Sequence, residues 1–105
     1  MGKKIEIPDF IMAQMEETYP SCTFEERRAI FMKMRRDTLA ILSRNYGRTS
    51  AAEIFNKYLH VIVHTIPAQL SGRELATAII WAENHPSMDE VRGNTPESRT
   101  KEAIN

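Results

Sequence analysis

One cysteine, Cys22, stands in 105 residues, so no disulfide can close within the chain and no zinc site can be built from cysteines alone. Long apolar runs are missing too. No stretch approaches the roughly 18 to 20 apolar residues that cross a bilayer, and the segment after Lys3 and Lys4 is broken at once by Glu6, Pro8 and Asp9. The expectation is a chain with neither signal peptide nor membrane span, kept in the reducing cytoplasm. Glycine is scarce, at four residues, and there is no Gly-rich phosphate loop, no G-x-S-x-G elbow and no cluster of carboxylates. These absences point away from an enzyme and from a cofactor.

Net charge is also lacking: Lys and Arg balance Asp and Glu at zero, which argues against a nonspecific polyelectrolyte binder. The balance is uneven along the chain. Residues 1–26 hold two lysines against six carboxylates, whereas residues 27–57 hold eight cations against Asp37 and Glu53. A basic middle is therefore hidden in the zero total.

What is present is ordinary for a folded domain. Hydrophobic residues make up 42% and charged residues 27%, which sets aside disordered and fibrous classes. The length suits a single core. The pattern predicts an all-α fold, a small bundle of about four helices over residues 1–86, followed by a flexible C-terminal tail at 87–105 with one weak helical turn after Pro96.

Helix starts are marked by a recurring S/T-x-x-E spacing, in which a hydroxyl caps the first free amides and the Glu reaches back. It occurs at Thr23 to Glu26, Ser50 to Glu53 and Ser71 to Glu74. A first helix is expected from Pro8 to Tyr19, stopped by Pro20. The second runs from Phe24 to about Asn45, with Gly47 as its C-terminal stop. The third runs from Ala51 to about Thr65, before Pro67, and the fourth from Ser71 to near Asn84, before Pro86.

On the third helix Ala51, Phe55, Tyr58, Val61, Ile62 and Ile66 share one broad apolar arc, opposite Glu53, Lys57, His60 and His64. An arc this wide suggests the central element of the bundle. The fourth helix, with Leu75, Ala78, Ile79, Ile80 and Trp81, is apolar nearly all round, the mark of a helix that is buried or shared with a partner. Self-association, as a homodimer, is expected on that ground.

The second helix carries the most explicit candidate surface. Arg28 and Arg35 interrupt its apolar arc at a seven-residue spacing, with Met32 and Leu39 beside them. Such a mixed cationic and apolar strip suits an acidic protein partner, because Arg and Met are favoured at interface centres. The simpler reading is that the arginine stems lie along the core while their heads reach Glu16, Glu17 or water. The favoured function is a small regulatory or adaptor protein acting through protein–protein binding on this helix.

The alternative is a DNA- or RNA-binding regulator that uses Lys33, Arg36, Arg44, Arg48 and Lys57 around the corner between the second and third helices. No zinc-finger, RRM or leucine-zipper spacing accompanies them. Leu70, Ser71, Glu74, Leu75, Ala76 and Ile79 resemble the first helix of helix-turn-helix domains over about ten residues. The chain then continues through Ile80 and Trp81 to Pro86 without the turn and second helix that module requires, and no family follows.

Two chemical candidates complete the reading. His60 and His64 lie one helical turn apart and could share a metal only with further ligands such as His85, since Glu53 is about 10 Å away along the axis. Cys22 precedes a helix N-terminus, where a thiol pKa can fall, but no sequence feature brings a base to it.

Overall fold

The computed structural model describes residues 5–85, which form an all-α globule with no strand among them. The tail and the helical turn expected within 87–105 lie outside the described residues. Helix α1 spans Asp9–Thr18, α2 Phe24–Tyr46, α3 Arg48–Lys57, α4 Leu59–Thr65 and α5 Gly72–Asn84, with a 3-10 turn at Ile66–Ala68. No described helix is long and apolar enough to cross a membrane.

Two of the three capping spacings are realised as reciprocal boxes. Thr23 Oγ1 accepts from Glu26 N–H at 3.1 Å while the Glu26 carboxylate accepts from Thr23 N–H at 2.8 Å, and Ser71 with Glu74 repeats both bonds. The third, at Ser50, is not formed. The chain turns at Gly47, whose φ of 87° is open to glycine but strained for residues with a Cβ. Helix α3 then begins at Arg48, so Ser50 is already inside it and has no free N-terminus to cap.

The expected continuous third helix is instead two, broken at Tyr58 with φ −98° and ψ 9°. Neither proline nor glycine stands there. The break is tied down from outside: Tyr58 OH donates to Glu83 Oε2 on α5 at 2.6 Å, and Lys57 Nζ reaches the same oxygen at 2.8 Å. A contact between residues 25 apart overrides a helical pattern that local sequence favours.

The helix contacts correct the choice of central element. Helix α2, the longest, packs against α1, α3 and α5, while α1 rests on α4 and the 3-10 turn. The core gathers Ile11 and Met15 of α1, Phe31 and Leu42 of α2, Phe55 of α3, Ile62 of α4, and Leu75 and Ile79 of α5. Phe31 and Phe55 meet edge to face at 6.4 Å and fold α3 back along α2. Burying each such side chain contributes about 1.5–3 kcal/mol.

Helix α5 can approach α2 closely because it begins with Gly72, which is buried. A Cβ there would lie 2.5 Å from Asp37 Cβ and 2.8 Å from the Met34 carbonyl oxygen. The buried face of α5 is Gly72, Leu75, Ala76 and Ile79, and it leaves Glu74, Thr77, Ala78 and Trp81 exposed. The helix is therefore apolar on its solvent side as well as its core side.

Candidate functional site

The four residues of the second-helix strip are engaged within the fold. Arg28 is half-buried and donates through Nη2 to the Ile5 carbonyl at 2.6 Å, fastening the N-terminal segment to α2. Beside it opens a shallow pocket of about 320 Å³ bordered by Ile5, Ile7, Met12 and Phe24, with Glu6 and Asp9 at its rim. Arg35 sets its guanidinium 5.7 Å from the Phe55 ring centroid, a cation–π contact. Met32 and Leu39, also half-buried, pack against the core. The strip exists in space, and its side chains have internal work: the arginine stems line the core edge.

The basic residues divide into two groups. Lys33 pairs with Asp37 at 2.8 Å and Lys57 with Glu83 at 2.8 Å. The Lys33 hydrogen bond holds the Asp37 carboxyl below its ordinary pKa, and hydrogen bonds from Lys57 and then Tyr58 do the same for Glu83. Arg36, Arg44 and Arg48 are exposed. Arg36 and Arg44 lie two turns apart on the solvent side of α2, and Arg48 opens α3 just past the corner.

The two histidines sit in different surroundings. His60 stacks on Phe10 of α1 with ring centroids 4.8 Å apart and planes within 4°, whereas His64 is exposed. Among the described residues no group of three or more His, Cys, Asp or Glu side chains is placed to hold a metal ion. Cys22 is half-buried in the turn before α2, its N–H bonded to the Tyr19 carbonyl at 3.1 Å.

A surface of a different kind lies between α4 and α5. Tyr58, Val61 and Thr65 on one side and Leu75, Ala78 and Ala82 on the other wall a recess of about 80 Å³. Its polar atoms are already paired: Thr65 Oγ1 donates to the Ile62 carbonyl at 2.7 Å, and the Tyr58 hydroxyl is held by Glu83. The recess is thus apolar. Val61, 57% exposed, stands on its α4 wall, and Trp81, 56% exposed, projects from α5 one turn past Ala78. His85 stacks on the indole at 4.2 Å, its Nδ1 2.8 Å from the Trp81 carbonyl oxygen.

Sequence periodicity placed Val61 on the core side because it drew the apolar arc of residues 51–66 too wide. The buried positions Ala51, Phe55, Ile62 and Ile66 keep one helical face across the Tyr58 break, and Val61, about 100° from Ile62 around the axis, faces outward. The one sequence signal for this surface was the apolar content all round the last helix, which Trp81 and Ala78 now explain. A scan against protein-family models gives no match, and searches of curated proteins and of solved structures give none either.

Proposed function

We propose that this chain is a small regulatory or adaptor protein of the cytosol that works by binding another protein, and that it does so through the apolar face between α4 and α5. The observation that carries this reading is the exposure of Trp81 and Val61, both above one half, beside a recess with no free polar group. A soluble monomer has little reason to leave a tryptophan and a β-branched residue in water along one groove, and tryptophan is the side chain most enriched at the energetic centres of interfaces. The strip of Arg28, Met32, Arg35 and Leu39 is less favoured as the docking face because those side chains anchor the N-terminal segment and α3. Its role is to hold the scaffold on which the α4–α5 face is displayed.

Photo-crosslinking tests the assignment. A photoreactive residue at Val61, exposed on the α4 wall of the recess, should form protein adducts in cells that make the chain natively, while one at Ala40, exposed on α2, should not. Adducts from position 40 with none from position 61 would contradict it.

A second reading, a nucleic-acid regulator, is favoured by the three exposed arginines at the α2–α3 corner, Arg36, Arg44 and Arg48. Its mark is affinity for a labelled duplex or single strand that falls steeply between low and near-physiological salt and is lost in Arg36→Ala plus Arg44→Ala. Anisotropy that stays flat at low salt rejects it.

A further inference from the structure

The solvent face of α5 has a spacing and an order of side chains that fit a second copy of itself. Glu74, Ala78, Trp81 and His85 follow one another at steps of four, three and four, and all four are exposed. At about 100° per residue they fall within an arc of roughly 60°, the seam spacing by which helices pair along their length. That seam lies away from the buried face of Gly72, Leu75, Ala76 and Ile79.

The order along the seam is carboxylate, small, large, imidazole. Turned end for end and laid on itself, it becomes complementary to itself. In the antiparallel register that sets Glu74 against His85 of the partner subunit, Ala78 meets Trp81 of the partner subunit. Every contact occurs twice about the two-fold axis, as an isologous interface requires. The bulky indole lies over the smallest side chain of the seam, and beyond Ala78 it reaches the recess walled by Val61, Ala82 and Leu75.

The ends agree with the middle. Glu74 Oε1 is used by the Ser71 N–H in the capping box, and Oε2 has no partner among the described residues. His85 turns Nδ1 to the Trp81 carbonyl, which leaves Nε2 as the ring atom free to face outward. A carboxylate stands at one end of the seam and an imidazole at the other, whose Nε2 donates to a carboxylate only as the imidazolium while Nδ1 donates to the Trp81 carbonyl, and only an antiparallel copy pairs the two at both ends at once. The formal net charge of zero removes the long-range repulsion that keeps many small proteins apart.

From this geometry we infer that the occupant of the α4–α5 face is a second copy of this chain, docked through antiparallel α5 helices with Trp81 of each against Ala78 of the other. The inference rests on the docking face proposed above and names its partner. The shared seam is about 17 Å long, short for a permanent dimer, so association in the micromolar range is expected rather than nanomolar.

Sedimentation velocity of the full chain, from about 1 to 300 µM, tests it against the single-chain mass of 12.1 kDa. The expected result is a rise toward twice that mass, with Kd on the order of 10–100 µM. Trp81→Arg should weaken association at least about tenfold. His85→Glu, which sets like charges opposite each other, should weaken it too, whereas His85→Lys should not. Adding Glu74→Gln to His85→Glu should recover much of the loss, since Gln keeps the capping acceptor and removes the repulsion. Circular dichroism and melting at 1 µM identify any variant that fails to fold. If Trp81→Arg fails, the exposed His85 and Glu74 variants decide the matter. A single-chain mass at every concentration, or a dimer indifferent to positions 81 and 85, would overturn the pairing. A wild type that stays monomeric while position 61 crosslinks to a different protein would overturn the pairing and leave the docking face standing. Loss of both results removes the face as well.

Discussion

Thr38 and Gly72, 34 residues apart, bring two helices into backbone contact. The Thr38 hydroxyl is buried and lies 2.7 Å from the Met34 carbonyl oxygen and 3.1 Å from that of Gly72, so its one proton is shared between its own helix and the first residue of α5. The missing side chain at Gly72 makes the approach possible. Gly72→Ala should therefore destabilise the fold by about 2 kcal/mol or more, because backbone rather than a flexible side chain stands in the way. Thr38→Val, which keeps the shape and removes the hydroxyl, should cost about 1 kcal/mol. Denaturant unfolding measures both, and equal costs would contradict the packing argument.

Glu83 is the clasp at the other end of α5, accepting from Tyr58 OH and Lys57 Nζ across the α3–α4 break. Its pKa is lowered in the fold, chiefly by the Lys57 hydrogen bond. The sign follows from that direction: the clasp contributes fully above the ordinary glutamate pKa of about 4.3, and the contribution is lost as pH falls through the lower folded value. Glu83→Gln should melt below wild type at neutral pH, with the gap closing on acidification. A gap that stays constant with pH would show that the carboxylate charge does not matter.

Two positive φ angles give opposite expectations. Gly47, at φ 87° and ψ 159°, a region open almost only to glycine, ends α2 and opens α3, so Gly47→Ala should cost about 1–3 kcal/mol although nothing lies within 4 Å of the added methyl. Gln69, at φ 56° and ψ 44°, already carries the milder strain of the left-handed helical region after the 3-10 turn. Gln69→Gly should be neutral or stabilising by up to about 1 kcal/mol. A stable Gly47→Ala variant would contradict the strained corner.

The outer helices were legible because their signals are local. Proline at 8 and 20, the Thr23 and Ser71 boxes, and Gly47 bound α1, α2 and α5 within a residue or two of the expected ends. The Tyr58 break was not legible, since Glu83 lies 25 residues on and no breaker residue marks the site. Val61 was misplaced because the apolar arc was drawn too wide, and the centre of the bundle because apolar width was read in place of the contacts that α2 makes. For the candidate surfaces, sequence spacing found Arg28 and Arg35 on the core side of α2 but could not tell that Ile5 and Phe55 would receive them. It recognised α5 as a helix with too much apolar surface for one neighbour, without saying which side chains would remain in water.

His60 offers a check on the α1–α4 contact. Its stack on Phe10 is the aromatic link between those helices, so His60→Ala should lower the melting temperature modestly, for a cost of about 0.5–1.5 kcal/mol. His64→Ala, at an exposed position without such a contact, should change stability by less than about 0.5 kcal/mol. Equal effects in thermal unfolding would mean that the stack contributes nothing.

Trp81 is the only tryptophan of the chain, so its fluorescence reports on the proposed face alone. The most direct measurement follows its emission maximum and acrylamide quenching as the protein is concentrated from about 1 to 300 µM, the span over which micromolar pairing fills. The account predicts a blue shift and falling quenching with concentration, both displaced to higher concentration in His85→Glu when each variant is referred to its own dilute baseline. Emission that stays red and fully quenchable throughout would contradict self-docking of the α4–α5 face.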